Sequence, residues 1–414
     1  MLASWKEVCL GDVINIKHGY GFKGIYFIEE PSVNVLVTPG NFTIGGGFKS
    51  NKLKYYKGPI PEEFILSPND VIVTMTDLSK QADTLGFSAK VPKDRKYTYL
   101  LNQRIGLVSL KSDEYNIDFI YWLLRTDVYQ KYIAGSSSGA TVKHTSPKKI
   151  YSAKLKVPKS KETQKKIAKI LSNYDDLIEN NLKRIKLLEE KAQQTYEEWF
   201  VRMKFPNHEN TPVDKATGLP LGWEIKRLAE IADINSSSIK KGFEDDIKYI
   251  DIACVSRDRI DNKIDYKYKD APGRAKRIVT HSDIIWSCVR PNRRSHAVIW
   301  NPEENLIAST GFCVISPKQL PTSYLYQFIT TDTFVAYLTS RAGGAAYPAV
   351  KAIDFLESEI LVPSVDIVSE FDNVFKNTLE VSWNLQEQNN KLKEARDILL
   401  PRLMTGMIDV NKIL

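Results

Sequence analysis

No stretch of this 414-residue chain approaches 18 consecutive apolar residues, and the opening MLASWKEVCL has no apolar core of a secretory leader. A membrane span and an export signal are therefore not read, and the cytoplasm is the expected compartment. Cysteine is scarce. Cys9, Cys254, Cys288 and Cys313 stand far apart without a C-x-x-C pair, so free buried thiols are expected rather than zinc ligands or a disulfide framework. The five histidines (His18, His144, His208, His281, His296) share no metal-ligand spacing. There is no phosphate-cradling G-x-x-x-x-G-K-[ST], no H-E-x-x-H and no G-x-S-x-G elbow. Nor is there a Pro-Pro-aromatic tetrapeptide to stack a flipped base; the nearest string, Asn301-Pro302-Glu303-Glu304, puts acids where that wall must be apolar. Gly19-Tyr-Gly21-Phe-Lys-Gly24 fits the dinucleotide fingerprint by letter only. Strand-like Ile25-Tyr-Phe-Ile follows it, and no acid occurs between Thr38 and Lys54 for a ribose. It reads instead as a glycine-rich turn presenting Phe22 and Lys23. The expectation is a protein with no active site, metal or cofactor of its own.

What is present begins with charge. The net +8 is uneven. Residues 1–158 carry 21 Lys+Arg against 14 Asp+Glu and residues 159–205 carry 11 against 8, whereas 206–363 balance at 20 each and 364–414 carry 6 against 8. A basic excess favours a polyanionic partner, with local clusters doing that work in the neutral second half.

The chain is also written twice. Thr126-Asp127, Gly139 and Val157-Pro158 recur as Thr331-Asp332, Gly344 and Val362-Pro363, always 205 residues on. Each copy opens on a tryptophan, Trp5 and Trp223, with an amphipathic run behind it. A unit this long is a duplicated domain, so an approximate internal two-fold is expected. β-rich runs such as Val13-Ile-Asn-Ile, Val33-Asn-Val-Leu-Val and Asp70-Val-Ile-Val-Thr-Met lie beside Gly or Pro, with a helix late in each copy.

Each copy closes on a long charged segment with a heptad seam. In the first, Ile167, Leu171, Tyr174, Ile178, Asn181, Ile185, Leu188, Ala192, Thr195 and Trp199 alternate in steps of four and three, with Asn181 a register-setting polar residue. The second reads Phe371, Val374, Thr378, Val381, Leu385, Gln388, Leu392, Ala395, Leu399. Helices of roughly 38 residues, about 57 Å long, cannot bury such stripes alone. Connectivity makes them antiparallel partners, a spacer between globular parts. The fold class is α+β: β-rich globular domains at 1–158 and 206–363, with long coiled-coil helices in 159–205 and 364–414.

Basic and amide-bearing loops occupy matching places. Asn102-Gln103-Arg104 carries the forked donors and acceptors that match purine edges, although such amides equally cap strands. Arg290-Pro-Asn292-Arg293-Arg294 packs three arginines around a proline, and Arg274, Lys276 and Arg277 form a second cluster. Lys143-His144 follows the small-residue loop Gly135-Ser-Ser-Ser-Gly-Ala; its counterpart begins at Arg341. Lys23 and Lys49 complete the candidate DNA-binding set.

Thr163-Gln-Lys-Lys-Ile-Ala168, the run Asn181 to Trp199-Phe200, Arg396-Asp-x-Leu-Leu-Pro-x-Leu-Met-x-Gly406 and the paired Val-Pro strand ends together resemble the specificity subunit of a type I restriction-modification system. The resemblance covers nearly the whole chain. It implies two target-recognition domains, each reading half of a bipartite and here asymmetric DNA site, held apart by the helices. It further implies two methyltransferase subunits carrying S-adenosylmethionine and motor-nuclease subunits using ATP as partners. The alternatives are a stand-alone methyltransferase or nuclease, and a two-domain protein adaptor.

Overall fold

The computed structural model describes residues 4–50, 52–77, 82–93, 96–139, 142–240, 243, 245–344 and 346–412. Ala140, Thr141 and Ala345, parts of the two small-residue loops, lie outside the described residues. The chain divides into two compact units, Met1–Glu179 with Asn389–Leu414, and Asn180–Gln388. Each therefore contains one globular copy, part of its own long helix and part of the other.

In the first unit an antiparallel sheet runs in the order Ile14–His18, Ile105–Leu110, Val71–Thr74, Ser88–Lys90. Its β-branched residues are buried, as Val71, Ile72 and Val73 show. A second sheet places Asn34–Val37 parallel to Thr98–Leu101, with Lys54–Tyr56 and Phe27–Ile28 on the other side. Trp5–Cys9 pairs with Lys154–Pro158, joining the two ends of the copy.

The second unit repeats this plan. Ala232–Ile234, Phe312–Pro317, Ile284–Ser287 and His296–Val298 make the antiparallel sheet. Asp246–Ile250 lies parallel to Leu306–Ser309 with Ile264–Lys267 beside it, and Glu224–Arg227 pairs with Glu359–Val362. It adds a full strand, Ala275–Ile278, next to Leu306–Ser309, where the first unit has a single bridge between Ile65 and Leu100.

The repeated residues are structural. Thr126 and Thr331 cap the helices Asp127–Ser136 and Asp332–Arg341, accepting the N–H of Tyr129 (3.4 Å) and Phe334 (3.2 Å). Asp127 and Asp332 then sit at the positive ends of those helices. Gly139 and Gly344 share φ near +100° (+101° and +100°), and a Cβ on Gly139 would run into the Val142 carbonyl.

The long helices span Lys161–Tyr196 and Val365–Met404, 36 and 40 residues. Within the first unit Ile167, Ala168 and Leu171 share a core with Leu403, Met404, Phe119 and Trp122. Within the second, Ala192, Tyr196 and Phe200 share one with Val368, Phe371, Phe375 and Tyr324. In both units the start of one helix meets the end of the other, so they run antiparallel. Phe200 stacks edge-on to Tyr324 at 4.7 Å and to Phe371 at 5.2 Å.

The first seam is inward throughout: Ile167, Leu171, Ile178, Asn181, Ile185 and Ala192 are buried, and Tyr174, Leu188, Thr195 and Trp199 half-buried. The second needs a correction. Phe371, Leu385, Leu392 and Leu399 face inward, but Val374 and Val381 are 48% and 38% exposed and Gln388 is exposed too. The intervening seam positions belong to Phe375, Ser382, Asn389 and Arg396. Val374, Val381 and Gln388 each stand one residue before the buried Phe375, Ser382 and Asn389, so the expected stripe runs one residue early at these positions. All four cysteines are free: Cys254 and Cys313 are buried, Cys9 and Cys288 half-buried. Among the described residues no helix is long and apolar enough to cross a membrane.

Candidate nucleic-acid interface

In each unit three loops meet at the end of the antiparallel sheet, and the same backbone bonds hold them. In the first unit the Met75 N–H donates to the Arg104 carbonyl (2.9 Å) and the Met75 carbonyl accepts from Thr145 N–H (3.0 Å). Thr76 and Asp77 then pair with His144 and Lys143, and His144 with Ser138. The Tyr20 loop joins them, since Gln103 N–H donates to the Tyr20 carbonyl (3.0 Å). Tyr20–Lys23, Asn102–Arg104 and Lys143–His144 thus line one edge.

Gly19 is small because the Asn102 carbonyl occupies the space a Cβ would need, and Gly21 lies against the Gln103 amide. The glycines serve packing between loops, not a phosphate. Phe22 corrects the expectation of a presented ring. It is only 7% exposed, packed on Tyr56 at 5.0 Å, because the tight turn folds it into a small aromatic core with Leu36 and Leu100. Tyr20, 39% exposed, is the ring at the surface, and Lys23 is exposed beside it.

Asn102 uses its side-chain oxygen to accept Arg104 N–H (3.2 Å), shaping the turn that leaves Gln103 and Arg104 exposed. His144 is exposed with Nδ1 3.2 Å from Thr76 Oγ1, and Lys143 is half-buried. Lys49 lies in a loop folded around the buried Asn41, whose amide donates to the Lys49 and Lys52 carbonyls (3.2 Å each). That loop joins the sheet through Gly47 N–H and the Ser88 carbonyl (2.9 Å) rather than through this edge.

The second unit repeats the bonds around Met75 and His144, while the place of the Gln103–Tyr20 bond is taken by Thr310 N–H donating to the Arg274 carbonyl (2.8 Å). Cys288 N–H donates to Gly311 (2.9 Å), its carbonyl accepts from Val350 (2.9 Å), Val289 bridges Ala349, and Ala349 bridges Gly343. Position by position, Arg104 becomes Gly311, Asp77 becomes Arg290, Lys143 becomes Pro348 and His144 becomes Ala349. The frame is kept and the side chains are exchanged.

The arginine-rich loop is held open by left-handed backbone at both ends, Arg290 (φ +52°) and Arg294 (φ +54°), around the buried Pro291. Asn292 and Arg293 are exposed. Arg294 turns back to an ion pair with Asp332. Arg341 is likewise occupied, with Glu357 at 3.4 Å, and Arg277 donates to Ser238 Oγ (3.3 Å). Arg274 and Lys276 are exposed, and the Arg274 carbonyl accepts Thr310 N–H (2.8 Å), which brings Arg274 to the edge.

A model of the type I restriction modification DNA specificity domain matches residues 3–190 and again 220–391. The chain belongs to the type I restriction-modification DNA specificity family. The type I restriction enzyme MjaIX specificity subunit of Methanocaldococcus jannaschii is 26% identical over 346 residues, spanning 79% of this chain and 73% of the relative. The HindI specificity subunit of Haemophilus influenzae is 23% identical over 98% of this chain and 100% of its own length. The crystal structure of a type I restriction-modification S subunit from M. genitalium shares the fold, with TM-score 0.57, 15% identity and 96% of each chain covered.

This family member also carries a largely buried polar cluster that no local sequence pattern announces, because its parts come from segments of the second unit far apart in sequence. Tyr326 Oη donates to Asp258 Oδ1 (2.7 Å), so its oxygen is left to accept from His296 Nδ1–H (3.0 Å). His296 stacks on Trp286 at 4.3 Å. Burial pushes His296 down to about 4, with the Asp258 carboxylate only partly opposing it. Glu189 of the first long helix is pushed up to about 8 by burial and then by Asp258. Gln386 of the second long helix donates to the Asp258 carbonyl (3.2 Å). The cluster ties the Val255–Ile260 hairpin to the helix Thr322–Thr330 through Tyr326 and to the second long helix through Gln386.

Proposed function

We propose that the two units read the two halves of a bipartite, asymmetric duplex DNA site, and that the long helices set the distance between the halves. One observation carries this: two edges built on the same backbone bonds present different side chains, Gln103, Arg104, Lys143 and His144 against Arg274, Arg290, Asn292 and Arg293. A shared frame suits docking on equivalent phosphates, whereas exchanged forks and amides suit different base edges. The chain itself is non-catalytic in this reading. Methyltransferase subunits, expected as a pair, bind S-adenosylmethionine and act at the selected site, and motor-nuclease subunits use ATP. Mapping modified bases in cells with and without the gene tests it. Loss of methylation from one two-part motif is expected. A contiguous motif, or methyl transfer by the purified chain alone, would overturn it.

A further inference from the structure

We propose that Arg290 reads a guanine in the half-site assigned to the second unit. The inference rests on that assignment and names the residue and the base. At the equivalent place the first unit has Asp77, a buried acid whose carboxylate accepts Thr84 N–H (2.6 Å). The fold therefore does not require a guanidinium here.

The three arginines of the loop have three different fates. Arg294 is neutralised by Asp332. Arg293 is exposed and held by no described side chain, which suits a mobile phosphate contact. Arg290 is neither neutralised nor loose. Its backbone is set by φ +52° and the following Pro291, and its N–H donates to the Pro348 carbonyl (2.7 Å). Its guanidinium lies 4.7 Å from the Tyr347 ring centre, and Nη2 donates to the Ala346 carbonyl (3.2 Å). Tyr347 is itself 70% exposed, so the stack stands at the surface of the edge. Only one nitrogen of the fork is engaged among the described residues.

A planar fork clamped on a ring, charged and otherwise unpaired, is pre-organised for two parallel acceptors. In the major groove that pair is O6 and N7 of guanine. Lysine on the same stem would supply charge without the fork.

The full chain, purified with its methyltransferase subunits, is offered a pool of randomised duplexes, alongside R290A, R290K and R293A. Wild type should enrich a two-part motif. R290A should lose preference at one G·C pair of one half, by about 10- to 100-fold, with the other half unchanged. R290K should bind within about threefold of wild type and keep only part of that preference, since an ammonium reaches the same acceptors without the fork. R293A should weaken all sequences alike and lower the salt slope. 7-Deazaguanine at that position should weaken wild type and leave R290A unaffected. Uniform weakening of R290A with an unchanged motif, or a wild type indifferent to 7-deazaguanine at that position, overturns the inference alone. A wild-type complex that enriches no motif overturns the half-site reading as well.

Discussion

Asp175→Ala should unlock the globular part of the first unit from the helix pair. Arg125 follows the helix Ile117–Leu123, with its side chain 3% exposed over the Trp122 ring (4.2 Å). Its Nη1 donates to Asp175 Oδ2 (2.9 Å) and to Tyr121 Oη (2.5 Å), and its Nε to the Gly45 carbonyl (2.8 Å). Asp175 Oδ1 accepts from Arg396 of the second long helix at 2.5 Å. One carboxylate thus joins a globular helix, the first long helix and the second. Breaking a fully buried pair costs about 3–5 kcal/mol and a surface pair about 0–1. Arg125 is buried and Asp175 is 31% exposed, which places this loss at about 2–4 kcal/mol. For a unit of this size that is about 5–15 °C in unfolding midpoint. The assay is thermal and urea unfolding of Asp175→Ala, Arg125→Met and the double variant. A coupling energy of at least about 1.5 kcal/mol is expected, because methionine removes the buried charge that alanine strands. A loss and a coupling both below about 0.5 kcal/mol would refute the reasoning.

The revised seam predicts that Phe375→Ala loses about 3–5 kcal/mol in urea unfolding while Val374→Ala stays within about 1 kcal/mol; equal losses would restore the unshifted heptad. Gly139→Ala should destabilise the edge hairpin by about 1–3 kcal/mol through its left-handed backbone and the Val142 carbonyl, with Gly344→Ala milder because the nearest atom, the Tyr347 carbonyl oxygen, stands 3.2 Å away. Hydrogen exchange at His144 and Ala349 reads both. On acidification from the ordinary histidine value of 6.5 to about 4, the unfolded chain binds a proton that buried His296 refuses, so its contribution to stability falls. Glu189 acts oppositely. Its folded carboxyl keeps a proton up to about 8, so its contribution falls as pH rises from 4.5 to 8. The two cancel between 4.5 and 6.5. Unfolding midpoints of the second unit should be nearly flat there in wild type and should drop with acid in Glu189→Gln; a flat profile in that variant refutes the assignment.

Much of the plan was legible because it is periodic or repeated. Steps of four and three along Ile167 to Trp199 mark a buried stripe whatever it packs on, since helix geometry alone puts those residues on one face. The 205-residue offset exposed the frame, and the structure gives its reasons: Thr126 and Thr331 cap helices, Gly139 and Gly344 turn left-handed, and Val-Pro ends close strand pairs. Where the rule depended on apolar letters it slipped, as at Ser382 beside the exposed Val381, because burial on a helix seam follows angle and not side-chain polarity.

The candidate site was legible as a set of loops and illegible as a set of roles. Sequence by itself determined that arginines cluster at 290–294, that amides stand at 102–103, and that the two copies differ there. It also placed the duplicated frame, since local capping, turn and heptad preferences are short-range and travel with the residues. Only tertiary structure decided that Arg294 is spent on Asp332, that Phe22 is core while Tyr20 is surface, and that Arg290 lies clamped on Tyr347. It alone gathered Glu189, Asp258, His296 and Tyr326 into one buried cluster. Those outcomes depend on which distant loop arrives beside each side chain, and charge, exposure and hydrogen-bond partners are properties of that meeting.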